Sequence, residues 1–411
     1  MKLVLNPSSA TISPASDIFV VNDVLGTDSG ITGLVNLMED HGLHFYNLMA
    51  KDDVVLIKVS WQWDQRGRTN SDLLKGLIQK IIDHPDGFTG EIVVADNGQG
   101  KKVGTVRVSG PTPITDLNNA EDHSLSIQDV VNSFSSYKVS TSYWDNMRQQ
   151  PVDEYTTGNM ADGYVVSQAF NPRTGIQVSY PKFRTSHGTY ISFKYGIWNG
   201  YYDSAKLKVI NIATLKTHMT HGTTTSVKHY MGVVSEKIYG QQGLTESHDT
   251  IAVGGMGTMM AETQFPTLNI IDAIYVNANP LLGPETAYSG YSSATQVNVV
   301  MASRDPVALD YWAMRHVLMQ AAQLKNPNAD LRSIDPDYPG PVGQYQVEAP
   351  GVWLNRSKDE IILGGFQATS NEAQMNVYVA PEEPPPPPKY HVLTVDSNLQ
   401  GISFNLRKVV A

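Results

Sequence analysis

The chain of 411 residues contains no cysteine and is poor in charge, with 17% charged residues against roughly 25% in an ordinary soluble protein. Without cysteine there can be no disulfide, no thiolate metal site, no cysteine-ligated iron–sulfur cluster and no cysteine nucleophile. Uncharged residues, among them 20 tyrosines, must supply the polar surface. That composition favours an extracellular or cell-surface location, with the leader absent from the chain; a cytoplasmic location is the alternative.

The sequence also lacks a basic block and a long apolar run. Its formal net charge is −10, so a nucleic acid or an anionic membrane would meet repulsion and not a gain from counterion release. No window approaches the roughly 18 apolar residues of a transmembrane helix. The start, MKLVLNPSSATISP, has too short an apolar run for a signal peptide. We therefore expect no nucleic-acid partner and no transmembrane segment.

Strand and helix patterns alternate along the first part of the chain. Residues 53–61 and 90–98 are apolar runs typical of strands, and residues 70–84 between them place leucine and isoleucine at helical spacing. Ser71 and Asp72 are expected to cap that helix. A strand–helix–strand unit of this kind predicts parallel neighbours in a covered sheet, with functional loops at the carboxyl ends of the strands.

A second half shows the same pattern of strands and a helix, over residues 206–218, 267–277, 296–306 and 307–324. Residues 100–200 are rich in serine, tyrosine and glycine, with one helix expected at 126–136, and we interpret them as an insertion. The predicted fold is therefore α/β, with two Rossmann-like halves and a largely parallel sheet in a main domain over residues 1–380.

The C-terminal end is set apart by five consecutive prolines, Pro384 to Pro388. Such a run favours an extended, stiff conformation, so residues 381–389 are predicted to be a linker. Residues 390–411 alternate apolar and polar positions as a β-hairpin does. Because two strands are not stable alone, we expect this tail to dock on the main body, to mediate self-assembly by pairing with another chain, or to open a β module that the chain truncates.

The strongest candidate for a functional site is the segment 216–232. It places Lys216, His218 and Lys228 just past a buried strand, where open α/β sheets bind their ligands. Ammonium groups, hydroxyls and exposed backbone N–H groups all bind anions, and the hydroxyl run between the lysines includes Thr223 and Ser226. The segment predicts a phosphate or carboxylate site in which His218 is the general acid or base.

The histidines also allow a divalent-metal site, because imidazole binds Zn, Ni, Cu or Fe. The candidate ligands are His218, His221, His248 and Asp249. The nearby lysines oppose a divalent cation unless carboxylates from elsewhere offset them. In the anion interpretation, His221 and His229 are incidental.

Three further polar residues stand out. Lys58 lies in the apolar strand LIKVSW, so its ammonium must reach the surface or a buried anion. Asp96 ends the next strand and faces the same crevice if the strands are neighbours, although Asp-Asn-Gly is also an ordinary turn. Asp305 precedes Pro306 at a helix start, which favours a helix N-cap over a ligand-binding role.

Six motifs in sequence order resemble those of the domain of unknown function 362 family, and they span about residues 30–325. They are LIKVSW, RTNSDLLKGLI, GEIVVADNG, NIATLKTHMTHGTTTSVKHYMG, LNIIDAI with the GP of LLGPE, and VVMASRDPVALD. The resemblance implies a shared fold and a shared cleft. It carries the family's polar positions over to Lys58, Thr69, Asp96, Lys216, His218, Lys228, Asp272, Asp305 and Asp310.

The resemblance also bears on cofactors. Many members of that family carry a C-terminal ferredoxin-type segment, but this chain has no cysteine, so no iron–sulfur cluster is expected. The family is distantly similar to the nickel-pincer lactate racemases, in which lysine and histidines surround a tethered cofactor, and that similarity is kept as an alternative.

Three functions are compatible with the sequence. The first is a protein that binds a small anionic ligand in a lysine-lined cleft, with acid–base catalysis by His218. The second is a metal-dependent enzyme that uses histidine and aspartate ligands. The third is a cell-surface assembly protein in which the enzyme-like fold is a scaffold and the tail 390–411 makes subunit contacts.

Overall fold

The chain, represented by a computed structural model, is built around one large β-sheet. The structure describes residues 15–24, 29–62, 65–98, 102–103, 106–107, 125–218, 220–235, 247–280, 294–342 and 347–380. The predicted linker 381–389 and tail 390–411 lie outside the described residues. Within the described ranges, no helix is both long enough and apolar enough to cross a bilayer.

The strands and helices are numbered in chain order. The strands are β1 (Ser16–Val21), β2 (Val54–Lys58), β3 (Glu91–Asp96), β4 (Lys102–Val103), β5 (Val106–Arg107), β6 (Val139–Tyr143), β7 (Gly163–Val166), β8 (Ser179–Arg184), β9 (Tyr190–Ser192), β10 (Gly196–Trp198), β11 (Tyr202–Asp203), β12 (Leu207–His218), β13 (Gly222–Thr224), β14 (Leu268–Asn277), β15 (Thr295–Ser303), β16 (Pro341–Val342), β17 (Val347–Glu348) and β18 (Met375–Ala380). The α-helices are α1 (Ser29–Asp40), α2 (Ser71–Ile82), α3 (Ile127–Asn132), α4 (Gly255–Glu262), α5 (Pro306–Ala313), α6 (Met319–Lys325) and α7 (Pro350–Leu363).

In the described part of the chain, the large sheet has nine strands, in the order β18-β1-β15-β14-β12-β2-β3-β6, with β13 paired to β12. The strands β14, β12, β2, β3 and β6 are parallel neighbours, whereas β15 is antiparallel to both β14 and β1. The predicted α/β class with a largely parallel sheet is confirmed. The strands of the two predicted halves form one continuous sheet, because β12 pairs with β2 on one side and with β14 on the other.

Apolar residues cover both faces of this sheet. Successive side chains of a strand point to opposite faces, and β2 follows that rule: Val55 and Ile57 pack in one core with α1, α2 and α3, while Val54 and Leu56 pack in the other with α4, α5 and α7. Both cores exclude water from the strand interiors. The charged residues Lys58 and Asp96 stand at the last positions of β2 and β3.

The N-cap of the helix that follows β2 lies one residue before the first of the two predicted capping residues. Asn70 is the N-cap of α2, and its side chain accepts the backbone N–H groups of Asp72 and Leu73. The prediction of Ser71 and Asp72 as capping residues is therefore wrong, because the asparagine already occupies the position from which an oxygen reaches those donors. This cap fixes the chain just after the end of β2.

Two other helices differ from their predicted extents. The helix expected at 126–136 is α3, which ends at Asn132. The helix expected over 307–324 consists of α5 and α6, joined by a π-helical turn over Met314–Leu318. The hydrophobic pattern alone predicted neither the earlier end of α3 nor the π-helical turn.

A second, antiparallel sheet lies within the region interpreted as an insertion. Its order is β11-β10-β9-β8-β7, and its side chains Tyr164, Phe183 and Ile191 join the same core as one face of the large sheet. Tyrosine does not only supply polar surface here, since Tyr155, Tyr164 and Tyr180 are buried. Their hydroxyls find partners: that of Tyr180, for example, donates to a carboxylate oxygen of Glu154 at 2.8 Å.

Candidate functional site at the carboxyl edge of the sheet

A cavity of about 40 Å³ lies where three parallel strands end. Lys58 is the last residue of β2, Asp96 is the last residue of β3, and Lys216 lies near the end of β12. Because β12, β2 and β3 are adjacent and parallel, their carboxyl ends meet at one edge, as open α/β sheets require of a binding site. The cavity is lined by Lys58, Ser60, Gln62, Asp96, Asn97, Lys216, His218, Thr224, Lys228, His229, Met231 and Gly232.

Lys58 and Asp96 form a buried ion pair in the wall of this cavity. The Lys58 Nζ atom donates to Asp96 Oδ1 at 2.8 Å, and the two side chains are 0% and 3% exposed. The other carboxylate oxygen of Asp96 accepts the backbone N–H of Trp61 at 3.0 Å. Burial lowers the pKa of Lys58 and raises the pKa of Asp96, while the attraction between the two charges opposes both shifts. The pair thus fixes the ends of β2 and β3 to each other.

Gly232 lies directly against this ion pair. A Cβ atom at that position would overlap both Asp96 Oδ1 and Lys58 Nζ. Only glycine leaves room for the chain to pass so close to two buried charged groups. The sequence motif that ends in Gly232 therefore has a steric reason for that glycine.

Two more lysines reach the cavity from the segment that the sequence singled out. Lys216 and Lys228 are each 4% exposed. The Lys216 Nζ atom donates to the carbonyl oxygen of Gly67 at 2.7 Å, and the Lys216 carbonyl accepts the Thr223 hydroxyl at 3.2 Å. Lys228 begins the 3₁₀ helix Lys228–Gly232. Lysines from β2, from β12 and from the 3₁₀ helix thus line one cavity.

Asp310, on α5, holds the segment that carries Lys228. Its carboxylate accepts the Thr225 hydroxyl at 2.6 Å and the backbone N–H groups of Ser226 and Val227 at 2.7 and 2.9 Å. Burial raises the pKa of Asp310 to about 7, although these hydrogen bonds act in the opposite direction. Asp310 does not line the cavity; it orders the backbone immediately before Lys228.

His229, interpreted from the sequence as incidental to an anion site, lines the cavity as well. Its Nε2 atom is 2.9 Å from the Ser60 hydroxyl oxygen, and its Nδ1 atom is 2.7 Å from Asn211 Oδ1. Burial, followed by the positive charges of Lys58 and Lys216, holds the pKa of His229 well below its usual value, and the Val59 backbone acts the other way. His229 is therefore neutral at physiological pH.

His218 lines the cavity with its ring orientation fixed by its own loop. Its Nδ1 atom accepts the backbone N–H groups of Thr220 and His221, each at 3.2 Å. In the neutral ring this leaves the proton on Nε2. His218 is thus set to act as a hydrogen-bond donor through Nε2.

The predicted metal ligands are only partly brought together. The ring centroids of His218, His221 and His248 are 5.5 to 6.1 Å apart, while Asp249 is exposed on a 3₁₀ helix. Among the described residues, no group of three or more histidines and carboxylates is arranged so that it could hold a metal ion. With Nδ1 of His218 occupied by two backbone donors, neither ring nitrogen of its neutral form offers a free lone pair.

Five of the predicted ligand-binding residues do not line this cavity. Thr69 accepts the Ser60 N–H at its hydroxyl oxygen, at 2.9 Å. Thr223 and Ser226 make the backbone contacts of the lysine-bearing segment, and Asp310 anchors that segment as described above. Asp272 accepts the Asn70 N–H at 2.7 Å, and burial raises its pKa to about 6.

Asp305 is the N-cap of α5, as the sequence favoured, with Pro306 in the first turn. Its Oδ1 atom accepts the N–H groups of Val307 and Ala308 at 2.9 and 3.0 Å. Its Oδ2 atom accepts the Ser16 hydroxyl at 2.6 Å and the Thr369 N–H at 2.8 Å. These four donors account for the two carboxylate oxygens, and Asp305 is not in the wall of the lysine-lined cavity.

A larger cleft, of about 500 Å³, lies at the opposite edge of the sheet. It borders the starts of β1 and β14 and the end of the antiparallel strand β15. Its lining includes Arg304, Asp305 and a stacked pair of rings, Phe265 and Phe366, whose centroids are 3.9 Å apart. Of the predicted site residues, Asp305, from the motif VVMASRDPVALD, borders this cleft.

Sequence reasoning missed Ser60, Thr224 and Asn211 as members or supports of the cavity. A signal existed for Ser60, because it lies two residues after Lys58, and extended residues two apart face the same side. A signal also existed for Asn211, an amide between the apolar residues Ile210 and Ile212 of β12, where a buried polar group needs a partner. Neither signal identifies that partner.

Comparison with known proteins gives one match. The model of the domain of unknown function (DUF362) family matches residues 200–315, a narrower range than the motifs suggested. The matched range carries Lys216, His218 and Lys228, whereas Lys58 and Asp96 precede it. No curated protein and no solved structure matches the chain.

Proposed function

We propose, from the premise that this chain belongs to the domain of unknown function 362 family, that its carboxyl-edge cavity binds a small anionic ligand. The ligand's carboxylate or phosphate group would lie among the ammonium groups of Lys58, Lys216 and Lys228. His218 would donate a hydrogen bond from Nε2 and act as the general acid.

The observation that carries this proposal is the convergence of three buried lysines on one cavity. Moving an ammonium group out of water costs several kcal/mol, by order of magnitude. Among the described residues that line the cavity, Asp96 is the one carboxylate, and it is bonded to Lys58. An anion bound beside Lys216 and Lys228 would be attracted by both of their positive charges.

The size of the cavity supports a small group. A buried water needs roughly 10 to 15 Å³ of such space, so about 40 Å³ holds about three waters or one compact oxyanion. Lysine binds phosphate and carboxylate as a point charge. A head group of one of these two kinds fits both the volume and the charge.

Titration calorimetry with inorganic phosphate and, separately, with acetate tests the proposal. We expect one site in the wild-type protein, and weakening of at least about tenfold in Lys216→Met and in Lys228→Met, because a hydrogen bond to a charged group contributes about 1.5 to 3 kcal/mol. Arg304→Met, in the larger cleft at the opposite edge, is the matched control and should bind as the wild type does. Absence of binding by both anions, or loss of binding in Arg304→Met alone, would contradict the proposal.

A further inference from the structure

A serine, a histidine and an asparagine form a connected hydrogen-bonded chain that opens onto the cavity. Ser60 and His229 line the cavity, and Asn211 lies behind His229 on β12. Given the proposed anion binding, on which this inference rests, we propose that Ser60 is a nucleophile, that His229 is its general base, and that Asn211 is a positioning residue. The substrate class is a small activated acyl compound that carries a phosphate or carboxylate group.

The orientation of the Asn211 amide is fixed by its other contacts. The Nδ2 atom of Asn211 lies 3.1 Å from the carbonyl oxygen of Ser226 and 3.0 Å from Asn269 Oδ1. A backbone carbonyl only accepts hydrogen bonds, so the NH₂ group must face Ser226. The amide oxygen of Asn211 therefore faces His229.

That orientation determines the tautomer of His229. Because Asn211 Oδ1 only accepts, the His229 Nδ1 atom at 2.7 Å must carry the proton. The neutral ring then has its lone pair on Nε2, and the Ser60 hydroxyl at 2.9 Å donates to it. Nucleophile, base and orienting group are each within hydrogen-bond reach of the next, which is the arrangement that activates a hydroxyl.

The surroundings of Ser60 also hold its backbone in place. Its N–H donates to the Thr69 hydroxyl oxygen at 2.9 Å, and its carbonyl accepts the Thr69 N–H at 2.8 Å. Ser60 itself is 4% exposed and His229 is 6% exposed. These two contacts to one threonine hold the Ser60 backbone, and the Ser60 hydroxyl oxygen lies 2.9 Å from His229 Nε2 and accepts the Thr214 N–H at 3.4 Å.

The charges around His229 make its basicity depend on the ligand. Lys58 on β2, Lys216 on β12 and Lys228 on the 3₁₀ helix oppose protonation of the ring, and Asp96 on β3 is the carboxylate in the same described wall. An anion bound among the lysines reduces the positive potential at His229. The ring then accepts the serine proton more readily when the substrate is present than when the cavity is empty.

The reaction balances without a redox partner. The Ser60 oxygen bonds to the acyl carbon as its proton moves to His229 Nε2, and the bond between the acyl carbon and the leaving oxygen breaks. The proton on His229 then goes to the departing phosphate or carboxylate oxygen. A water molecule then attacks the acyl carbon of the acyl-serine as one of its protons moves to His229 Nε2; the bond between the acyl carbon and the Ser60 oxygen breaks, the proton passes from His229 to that oxygen, and a carboxylic acid is released. The lysine ammonium groups stabilise the negative charge that develops on the acyl oxygen.

Acetyl phosphate is a suitable probe, because it joins an acetyl group to a phosphate. We expect peptide mass spectrometry of the treated wild-type protein to find acetyl on Ser60, and phosphate release to accompany it. Ser60→Ala should abolish that acetylation, and His229→Gln should slow it by at least about 100-fold, the usual contribution of a general base. Ser192→Ala is the matched control, since Ser192 is a buried serine hydroxyl of the second sheet, and it should leave Ser60 acetylation unchanged.

The role of Asn211 is tested by a pH profile. Asn211→Asp places a carboxylate beside His229 Nδ1 and should raise the pKa of the ring. The acid limb of the acetylation rate should therefore move to higher pH than in the wild type. A change in rate with no shift of the acid limb would reduce Asn211 to a packing role and overturn its assignment as a positioning residue.

The wild-type experiment separates this inference from the proposed function. If phosphate binds in calorimetry but Ser60 is not acetylated, the nucleophile assignment is wrong and anion binding stands. If Ser60 is acetylated and His229→Gln slows the reaction, the nucleophile and base assignments hold, whether or not inorganic phosphate alone is bound. The first of these results, acetyl on Ser60, is read on the wild-type chain and does not depend on how well a variant folds.

Discussion

The two edges of the large sheet carry cavities of opposite character. The carboxyl-edge cavity measures about 40 Å³ and is lined by three lysines, two histidines and the Asp96 carboxylate. The opposite cleft is more than ten times larger, at about 500 Å³, and includes the stacked rings of Phe265 and Phe366. The larger cavity volume is therefore at one edge of the sheet, and the cluster of lysines and histidines is at the other.

The two cavities differ most in buried charge, and the proposed function rests on that difference. Lys58 is 0% exposed in the small cavity, whereas Arg304 in the large cleft is exposed. A folded chain keeps a buried charge only where a partner or a ligand offsets its loss of hydration. An exposed arginine beside apolar rings carries no such implication.

The largest expected effect is on stability at the ion pair. Lys58→Met leaves the buried Asp96 carboxylate without its cation, and we expect the free energy of unfolding to fall by about 3 to 5 kcal/mol. Arg304→Met in the larger cleft should change it by less than about 0.5 kcal/mol. Urea unfolding of the two variants measures this contrast between the edges.

A double variant sharpens the interpretation of that loss. Lys58→Met combined with Asp96→Leu removes both charges, and it should recover part of the stability that Lys58→Met loses. If the double variant is as unstable as the sum of the two single variants, the loss does not come from an uncompensated charge.

The second effect concerns two glycines, one at each edge. Gly232→Ala forces a methyl group against Lys58 and Asp96, and we expect a loss of about 1 to 3 kcal/mol together with weaker phosphate binding. Gly42, which borders the larger cleft, has φ +85° and open space around its Cβ position. Gly42→Ala should cost about 1 to 2 kcal/mol through the backbone alone and leave phosphate binding unchanged. If Gly232→Ala and Gly42→Ala weakened phosphate binding equally, the two edges of the sheet would not differ in their effect on binding.

The third effect is a dependence of the free energy of unfolding on pH. It comes from Asp310, which does not line the carboxyl-edge cavity but orders the backbone before Lys228. Its pKa is about 7 in the folded protein against 3.8 in the unfolded chain, so the folded state binds more protons between these values. Stability therefore falls as the pH rises from about 4 to about 7, by at most about 1.4 kcal/mol per pH unit from this group.

Asp310→Asn removes this contribution from Asp310. The difference in unfolding free energy between the wild type and Asp310→Asn should shrink as the pH rises from about 5 to about 7. Asp305, whose carboxyl also has a pKa raised by burial, to about 6, borders the larger cleft and is present in both proteins, so it cancels in that difference. Parallel stability curves for the two proteins would show that Asp310 does not titrate as stated.

The sequence predicts the site residues at the ends of strands, because each of them is recognised from the few residues around it. Lys58, Asp96 and Lys216 follow from apolar strands that end in polar residues, and parallel pairing then brings the three ends together. The helix cap was misplaced because Ser71 and Asn70 are both good capping residues, and only the backbone path decides between them.

The hydrogen-bonded chain of Ser60, His229 and Asn211 could not be predicted from the sequence. Its members are separated by 169 and 18 residues along the chain, and their roles depend on which atoms face one another. Nothing in the local pattern around His229 distinguishes it from His221. The proton on His229 Nδ1 follows from the orientation of the Asn211 amide. That orientation depends on the Ser226 carbonyl, which the folded structure brings within 3.1 Å of Asn211 Nδ2.

The most direct measurement of the central claim is a crystal structure with arsenate, a phosphate analogue whose anomalous scattering locates it without ambiguity. At a concentration that saturates the solution site, we predict one anomalous peak within ion-pair distance of the Nζ atoms of Lys216 and Lys228, and its loss in Lys216→Met. An empty carboxyl-edge cavity, with arsenate bound beside Arg304 in the larger cleft, would contradict the account.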